Sequence, residues 1–241
     1  MNEHLWEVLA NAFPRLLGYG ITVTMPLMLL SFSLALVLAI IVAMIQYANI
    51  KILRQICRFY IWVVRGTPLL VQLYLIFYGL PNLGIVLKAF PCAVMVFGIN
   101  EAAYMAESVR GALESVSKGQ VEAGHCVGMN YLQIMWHIVL PQAFRVAFPA
   151  LSNSMISMTK ETSLAATITV MEMFRQAQVI NGRVYESLGL YTEVALIYLM
   201  FCTILTALQH YGERKLGSYG QTTKQASFLD RLLGRRKAGS V

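Results

Sequence analysis

Long apolar runs separated by short polar intervals dominate this chain. Leu16 to Ile50 carries no Asp, Glu, Lys or Arg, and neither do Gly66 to Leu87 or Val194 to Tyr211. Runs of about 18 or more apolar residues read as membrane-spanning helices. Five spans are predicted: Ile21 to Gln46, Phe59 to Leu80, Lys88 to Glu107, Val146 to Thr169 and Leu190 to Tyr211. The expected class is therefore an all-α polytopic membrane protein. Pro26 and Pro68 fall in the first and second spans, as breaks or kinks that membrane helices tolerate. The second span has the weakest left end, because Arg65 lies within it.

The first run does not read as a signal peptide. Glu3 and Glu7 stand where a basic segment is needed, and the run is too long. It is expected to stay as a helix. Lys and Arg placement then sets an orientation. Lys51, Arg54 and Arg58 follow the first span, and Arg110, Lys118 and Arg145 flank the interval between the third and fourth. Arg214, Lys215, Lys224, Arg231, Arg235, Arg236 and Lys237 follow the fifth, while the opposite side holds only Arg15, Lys88, Arg175 and Arg183. The positive-inside tendency puts the N-terminus outside and the C-terminus in the cytoplasm. The expected organisation is a periplasmic segment over 1–15, a transmembrane domain over 16–213 with a cytoplasmic loop near 114–141, and a basic cytoplasmic tail over 214–241.

Composition agrees. Of 241 residues, 57% are hydrophobic and 13% charged, against about 25% charged in a soluble domain. The net charge of +7 sits at the ends of spans, which points to a lipid bilayer rather than to nucleic acid. Cysteines at 57, 92, 126 and 202 are too scattered for a disulfide framework or a metal site.

The longest polar interval carries a spaced pattern. Glu122-Ala123-Gly124 is followed after three residues by Gly128, and after nine more by Ile138-Val139-Leu140-Pro141. A short helix across the membrane surface is expected here, with its small residues exposed to a partner and Glu122 offering a fixed charge. Gly128 can end that helix. Pro141 can stop a helix or open the next. This spacing resembles the cytoplasmic EAA loop of ABC-importer permeases of type I. The resemblance implies that Glu122, Ala123, Gly124, Gly128, Ile138, Leu140 and Pro141 dock on an ATP-hydrolysing partner.

Further motifs narrow the likeness. Asn100 to Glu107, Arg110-Gly111-Ala112, Ser115 to Gln120, Arg65 to Leu73 and Lys160 to Leu164 together resemble permeases of the polar amino-acid uptake family, the histidine/glutamine-type branch. The likeness covers about residues 15 to 215. Gly124 departs from it, since the family usually has a second Ala there; a looser loop is expected. Leu151 to Ser154 and Phe174 to Gln178 are similar to bacterial cystine permeases in particular. The family implies a bacterial inner-membrane location, an ATPase subunit dimer that binds ATP, an extracytoplasmic amino-acid-binding protein and a second permease subunit. Whether that second subunit is another copy stays open, the cystine-like match favouring a homodimer.

Charged and polar residues inside spans form a second set. A charge at mid-membrane costs about 2.5–3.5 kcal/mol on insertion scales, so it usually faces a polar cavity or a partner. Arg65 precedes Gly66-Thr67-Pro68, which cannot continue a regular helix, and a broken helix opens backbone groups to a path. Asn100, Glu101 and Tyr104 share a turn, with Asn100 and Tyr104 on one face. Lys160, Glu161 and Ser163 lie in the fourth span. The candidate substrate path is Arg65, Thr67, Asn100, Tyr104, Lys160, Glu161 and Ser163. For a zwitterionic amino acid, Arg65 or opened amides near Thr67 suit the carboxylate and Glu161 suits the ammonium. A pairing of Glu161 with Lys160 is the alternative.

The chain contains no G-x-x-x-x-G-K-[ST], no Gly-x-Ser-x-Gly and no HExxH. The expected role is transport rather than catalysis, with no cofactor of its own and ATP handled by a partner. A secondary transporter or channel explains the buried charges but not the spaced loop, and no inverted repeat is evident.

Overall fold

The computed structural model describes residues 2–48 and 50–217. These residues are helical, with no strand among them. The expected basic tail at Lys224 to Lys237 lies outside the described residues. The first membrane element is one continuous rod: α1 (Asn2–Tyr19), a π turn (Gly20–Thr24) and α2 (Met25–Tyr47). Its apolar part, Trp6–Tyr47, is 42 residues long. At 1.5 Å per residue that is about 63 Å, roughly twice the hydrocarbon thickness. The segment expected as a separate periplasmic stretch is therefore the upper part of this rod, and it packs on α9 and α10.

The second span is not straight. It is a pair, Lys51–Arg65 and Leu69–Leu83, bent by 102° at Gly66-Thr67-Pro68. Its first arm is α3 (Lys51–Arg65), and α4 (Leu69–Tyr74) opens the second. Lys51, Arg54 and Arg58 thus sit on a helix and not in a loop. The other spanning elements are α5 (Ala89–Glu114), the rod Tyr131–Ile168 and α10 (Ser187–Leu216). The rod Tyr131–Ile168 joins α7 (Tyr131–Ile134), a π turn (Met135–Val139), α8 (Leu140–Glu161) and a 3-10 stretch (Thr162–Ile168). It begins fifteen residues before the predicted Val146. Two short helices lie outside the spans: α6 (Lys118–Cys126) and α9 (Met173–Val184). α10 runs on to Leu216, past residue 214, the expected start of the tail.

Three π turns each stand just before a proline: Gly20–Thr24 before Pro26, Leu75–Gly79 before Pro81, and Met135–Val139 before Pro141. A proline ring crowds the carbonyl four residues back and donates no hydrogen bond. A widened turn relieves that crowding without breaking the rod. Pro141 accordingly opens α8 rather than ending a helix.

The core is held by size more than by polarity. Ser31, Ala35, Ala39 and Ala43 recur every fourth residue on α2 and are buried. They share a cluster or packing face with Ala102, Ala103 and Ala106 of α5. Gly98 meets Leu34 so closely that a Cβ there would come within 2.7 Å of it. Leu29, Leu30, Val37, Ile40 and Ile41 of α2 face outward. Lipid is as apolar as leucine, so membrane helices gain by bringing small faces together and leaving large apolar side chains to the bilayer.

Candidate substrate path and coupling surface

The 102° corner leaves the last carbonyls of α3 without helical partners, and the side chains of Gln72 and Thr67 answer two of them. Gln72 Nε2 donates to Val64 O at 2.9 Å, to Thr67 O at 3.1 Å and to Thr67 Oγ1 at 2.8 Å. Thr67 Oγ1 in turn donates to Val63 O at 2.9 Å. Asn100 Nδ2 of α5 donates to Gln72 Oε1 at 2.9 Å. The corner is thus pinned to α5 through Asn100, and unpaired backbone groups are costly enough in a membrane to require this. Gln72 lay in the motif quoted above, but its role needed the bend to be seen.

Beside the corner lies an open cavity of about 840 Å³. Arg65, Gly66, Thr67, Pro68 and Leu69 form one wall, Asn100, Glu101 and Tyr104 of α5 a second, and Ala150, Asn153, Ser154, Ser157 and Glu161 of α8 a third. Five of the seven path candidates meet here: Arg65, Thr67, Asn100, Tyr104 and Glu161. Lys160 and Ser163 do not line it. Lys160 is exposed elsewhere on α8, because neighbouring helix positions point about 100° apart. Ser163 Oγ donates back to Lys160 O at 2.8 Å. No ion pair joins Lys160 to Glu161 among the described residues. The Arg65 guanidinium lies 5.1 Å from the Tyr104 ring centroid, a cation–π contact that holds the charge at the cavity wall. Glu101 is 7% exposed and has Ser154 as a hydrogen-bond partner. It shares the cavity with Glu161, a role that needed the position of α8 to be known.

The polar interval folds as a compact hook. α6 ends in a Schellman turn: Met129 N donates to Gly124 O at 3.0 Å and Gly128 N to His125 O at 3.0 Å. Gly128 takes φ +81°, where glycine alone is unstrained. α7 starts with a capping box between Asn130 and Gln133, both bonds at 2.9 Å. Glu122, Ala123 and Gly128 are exposed, but Gly124 is buried, contrary to the expected exposed run of small residues. A Cβ at 124 would lie 3.0 Å from Ile134 and 3.1 Å from Ile138. Gly124 therefore lets α6 settle closely on the following rod, a tighter joint and not the looser loop expected. Ile138 serves this packing. Around the hook, Val127 (77%), Leu132 (66%) and Trp136 (68%) stand exposed.

Residues 35–218 match the family described as "Binding-protein-dependent transport system inner membrane component". The chain belongs to this family. Its likeness to known members is nearly full-length. It is 43% identical over 215 residues to the L-cystine transport system permease protein TcyB of Bacillus subtilis (strain 168), covering 89% of this chain and 92% of that protein. It is 34% identical over 200 residues to the arginine transport system permease protein ArtQ of the same organism, covering 83% and 91%. A solved structure of an amino acid ABC transporter with histidines superposes with a TM-score of 0.78 at 33% identity, covering 84% of this chain and 95% of that chain. The fold is that of a type I ABC-importer permease, a multi-pass membrane subunit of systems that work with ATPase subunits. The hook exposes the Glu122 carboxylate beside an apolar surface of the kind that marks protein contacts.

Glu172 is a further built feature that sequence reading passed over. It is fully buried and caps α9, accepting from Phe174 N at 2.9 Å, Arg175 N at 2.6 Å and Tyr198 Oη at 3.1 Å. Thr24 Oγ1 accepts from Met173 N at 3.1 Å. The first π turn, α9 and α10 meet there. Its sequence signal was an acid directly before a helical pattern, a recognised cap position.

Proposed function

We propose that this chain is the membrane-spanning permease subunit of an ATP-driven importer for a polar amino acid, with L-cystine as the substrate. The carrying observation is one cavity walled by a guanidinium and two carboxylates on three different elements, next to a broken helix. Those are the groups a zwitterion requires: Arg65 and the polar groups at Thr67 for its carboxylate, and Glu161 for its ammonium. The similarity to a permease whose name carries L-cystine transport supports the substrate.

In this reading an extracytoplasmic binding protein delivers the amino acid to the outer face. A dimer of ATPase subunits binds and hydrolyses ATP, and this chain does no covalent chemistry. α6 carries the ATPase movement into the rod Tyr131–Ile168, since Gly124 packs on Ile134 and Ile138. ATP-bound and free ATPases must contact α6 differently for the path to switch. A second permease, another copy of this chain, completes the pore. The N-terminus is outside, and the C-terminus lies in the cytoplasm of a bacterial cell. Nucleic acid has no part in it.

Reconstitution of the permease with its ATPase and binding protein tests this. Labelled L-cystine should enter proteoliposomes only with ATP and with the binding protein present. Uptake that proceeds at the same rate without ATPase subunits would reject the importer reading.

A further inference from the structure

The cavity is lined by two carboxyl groups and one guanidinium. Arg65, Glu101 and Glu161 all line it. None of the three makes an ion pair within 4.0 Å among the described residues. A simple amino acid brings one ammonium and one carboxylate, which matches Arg65 and one glutamate and leaves the other glutamate unmatched. Glu101 cannot be dismissed as a surface group. It is 7% exposed, it sits in the third span, and an uncompensated charge there costs several kcal/mol. Its Ser154 partner orients a carboxylate but does not require one, since a glutamine would accept the same hydroxyl bond.

We infer that Glu101 is a second cation-recognising carboxylate, so that the cavity selects amino acids carrying two cationic nitrogens over those with a single ammonium. Glu101 lines the cavity from α5 and Glu161 from the end of α8, so each carboxylate is available to one nitrogen of a substrate. L-cystine, with two ammonium groups, belongs to this class, and so does a dibasic amino acid such as L-lysine or L-arginine. One substrate carboxylate goes to Arg65. Where there is a second, the neutral donors Asn153 and Ser157 on the α8 wall are available to it. This inference rests on the cavity being the substrate path.

Binding to the purified permease–ATPase complex in nanodiscs, without the binding protein, tests it, because selection by the binding protein is then absent. Labelled L-cystine and L-arginine should bind wild type about ten-fold or more tighter than L-glutamine, the margin of one charge-assisted hydrogen bond. Glu101→Gln should erase that margin and leave L-glutamine within about two-fold. Glu101→Asp, which keeps the charge, should retain a preference. Equal weakening toward all three ligands, or no change toward any, overturns the inference. The ligand side gives the same test with no variant: L-lysine should bind at least about ten-fold tighter than L-norleucine, which lacks the second nitrogen. Equal binding of that pair also overturns it. Glu161→Gln separates the two levels. If it weakens all ligands while Glu101→Gln changes none, only the role of Glu101 falls. If neither variant affects binding, the cavity is not the path.

Discussion

Glu172 and Glu161 are both acids in an apolar setting, and their surroundings give them different tasks. Glu172 has no exposure and is surrounded by fixed partners: two backbone donors of α9 and the Tyr198 hydroxyl of α10. Burial outweighs those hydrogen bonds and pushes its carboxyl up to about 7 from an ordinary 4.5. A folded-state value above the unfolded one means the folded form holds the proton more tightly. The resulting stabilisation is complete below about pH 4.5 and is lost as pH rises through about 7. Melting temperatures of the purified protein should therefore fall between pH 5 and pH 8 relative to a Glu172→Gln variant, which cannot ionise. Parallel curves for the two proteins would contradict this. Glu161 instead faces open volume with no ion-pair partner among the described residues, Lys160 included. Glu161→Gln should raise the half-saturation of substrate binding about ten-fold, the loss of a charge-assisted hydrogen bond worth about 1.5–3 kcal/mol. Lys160→Gln added to it should restore nothing. Rescue by the double change would show that Glu161 serves Lys160 and not a ligand.

At the scale of elements, α6 and its turn separate packing from docking. Gly124 is closed in by Ile134 and Ile138, whereas a side chain at Gly128 would meet nothing within 4 Å. Gly128→Ala should then cost only the strain of φ +81°, about 1 kcal/mol, and leave transport coupled. Gly128→Trp carries the same strain and adds bulk on the exposed side of the hook, so it should uncouple ATP hydrolysis from uptake at normal expression. Gly124→Leu should fail differently, by prising α6 from the rod, and should lower the melting temperature as well. If the Trp variant transports like the Ala variant, this face is not the ATPase contact. These elements also mark what the chain's sequence makes readable. Apolar length marks the spans, and the spaced Glu122–Pro141 pattern marks the interval that folds as the hook. The 102° bend was foreseeable only as a break, since Gly66-Thr67-Pro68 says that a helix stops but not where the next one points. The upper part of the first rod was missed because its charges mask a helix that a π turn carries past Pro26. The Ser31, Ala35, Ala39 and Ala43 stripe gives no polarity contrast, so a reading based on hydropathy passes over the face that joins α2 to α5. In the cavity, Glu101 was placed on the right turn, but its partnership with Glu161 depends on how α5 and α8 cross.

The whole molecule has two distinct ends. Tyr47 at the end of α2 lies near Glu114 at the end of α5 and Tyr131 at the start of α7, which gathers the hook and the Lys51 end of α3 on one side. At the opposite end, Thr24 meets Met173 and Tyr78 donates to Thr167 O. In the proposed orientation, which the Lys and Arg asymmetry supports, the hook faces the cytoplasm, and the protein carries its own reporter for it. Cys126, the last residue of α6, is exposed, whereas Cys57 and Cys92 are buried and Cys202 lies half-buried in a spanning helix. A membrane-impermeant maleimide should leave Cys126 unlabelled in intact cells and label it in inside-out vesicles. A cysteine introduced by Gly182→Cys in a variant lacking the native thiols should behave the opposite way, because α9 belongs to the end opposite the hook. Adding the ATPase subunits to the vesicles should slow Cys126 labelling several-fold, since docking on α6 covers the thiol. Equal labelling with and without them would remove α6 from the docking surface while leaving the orientation intact. Labelling of Cys126 from outside intact cells would overturn both.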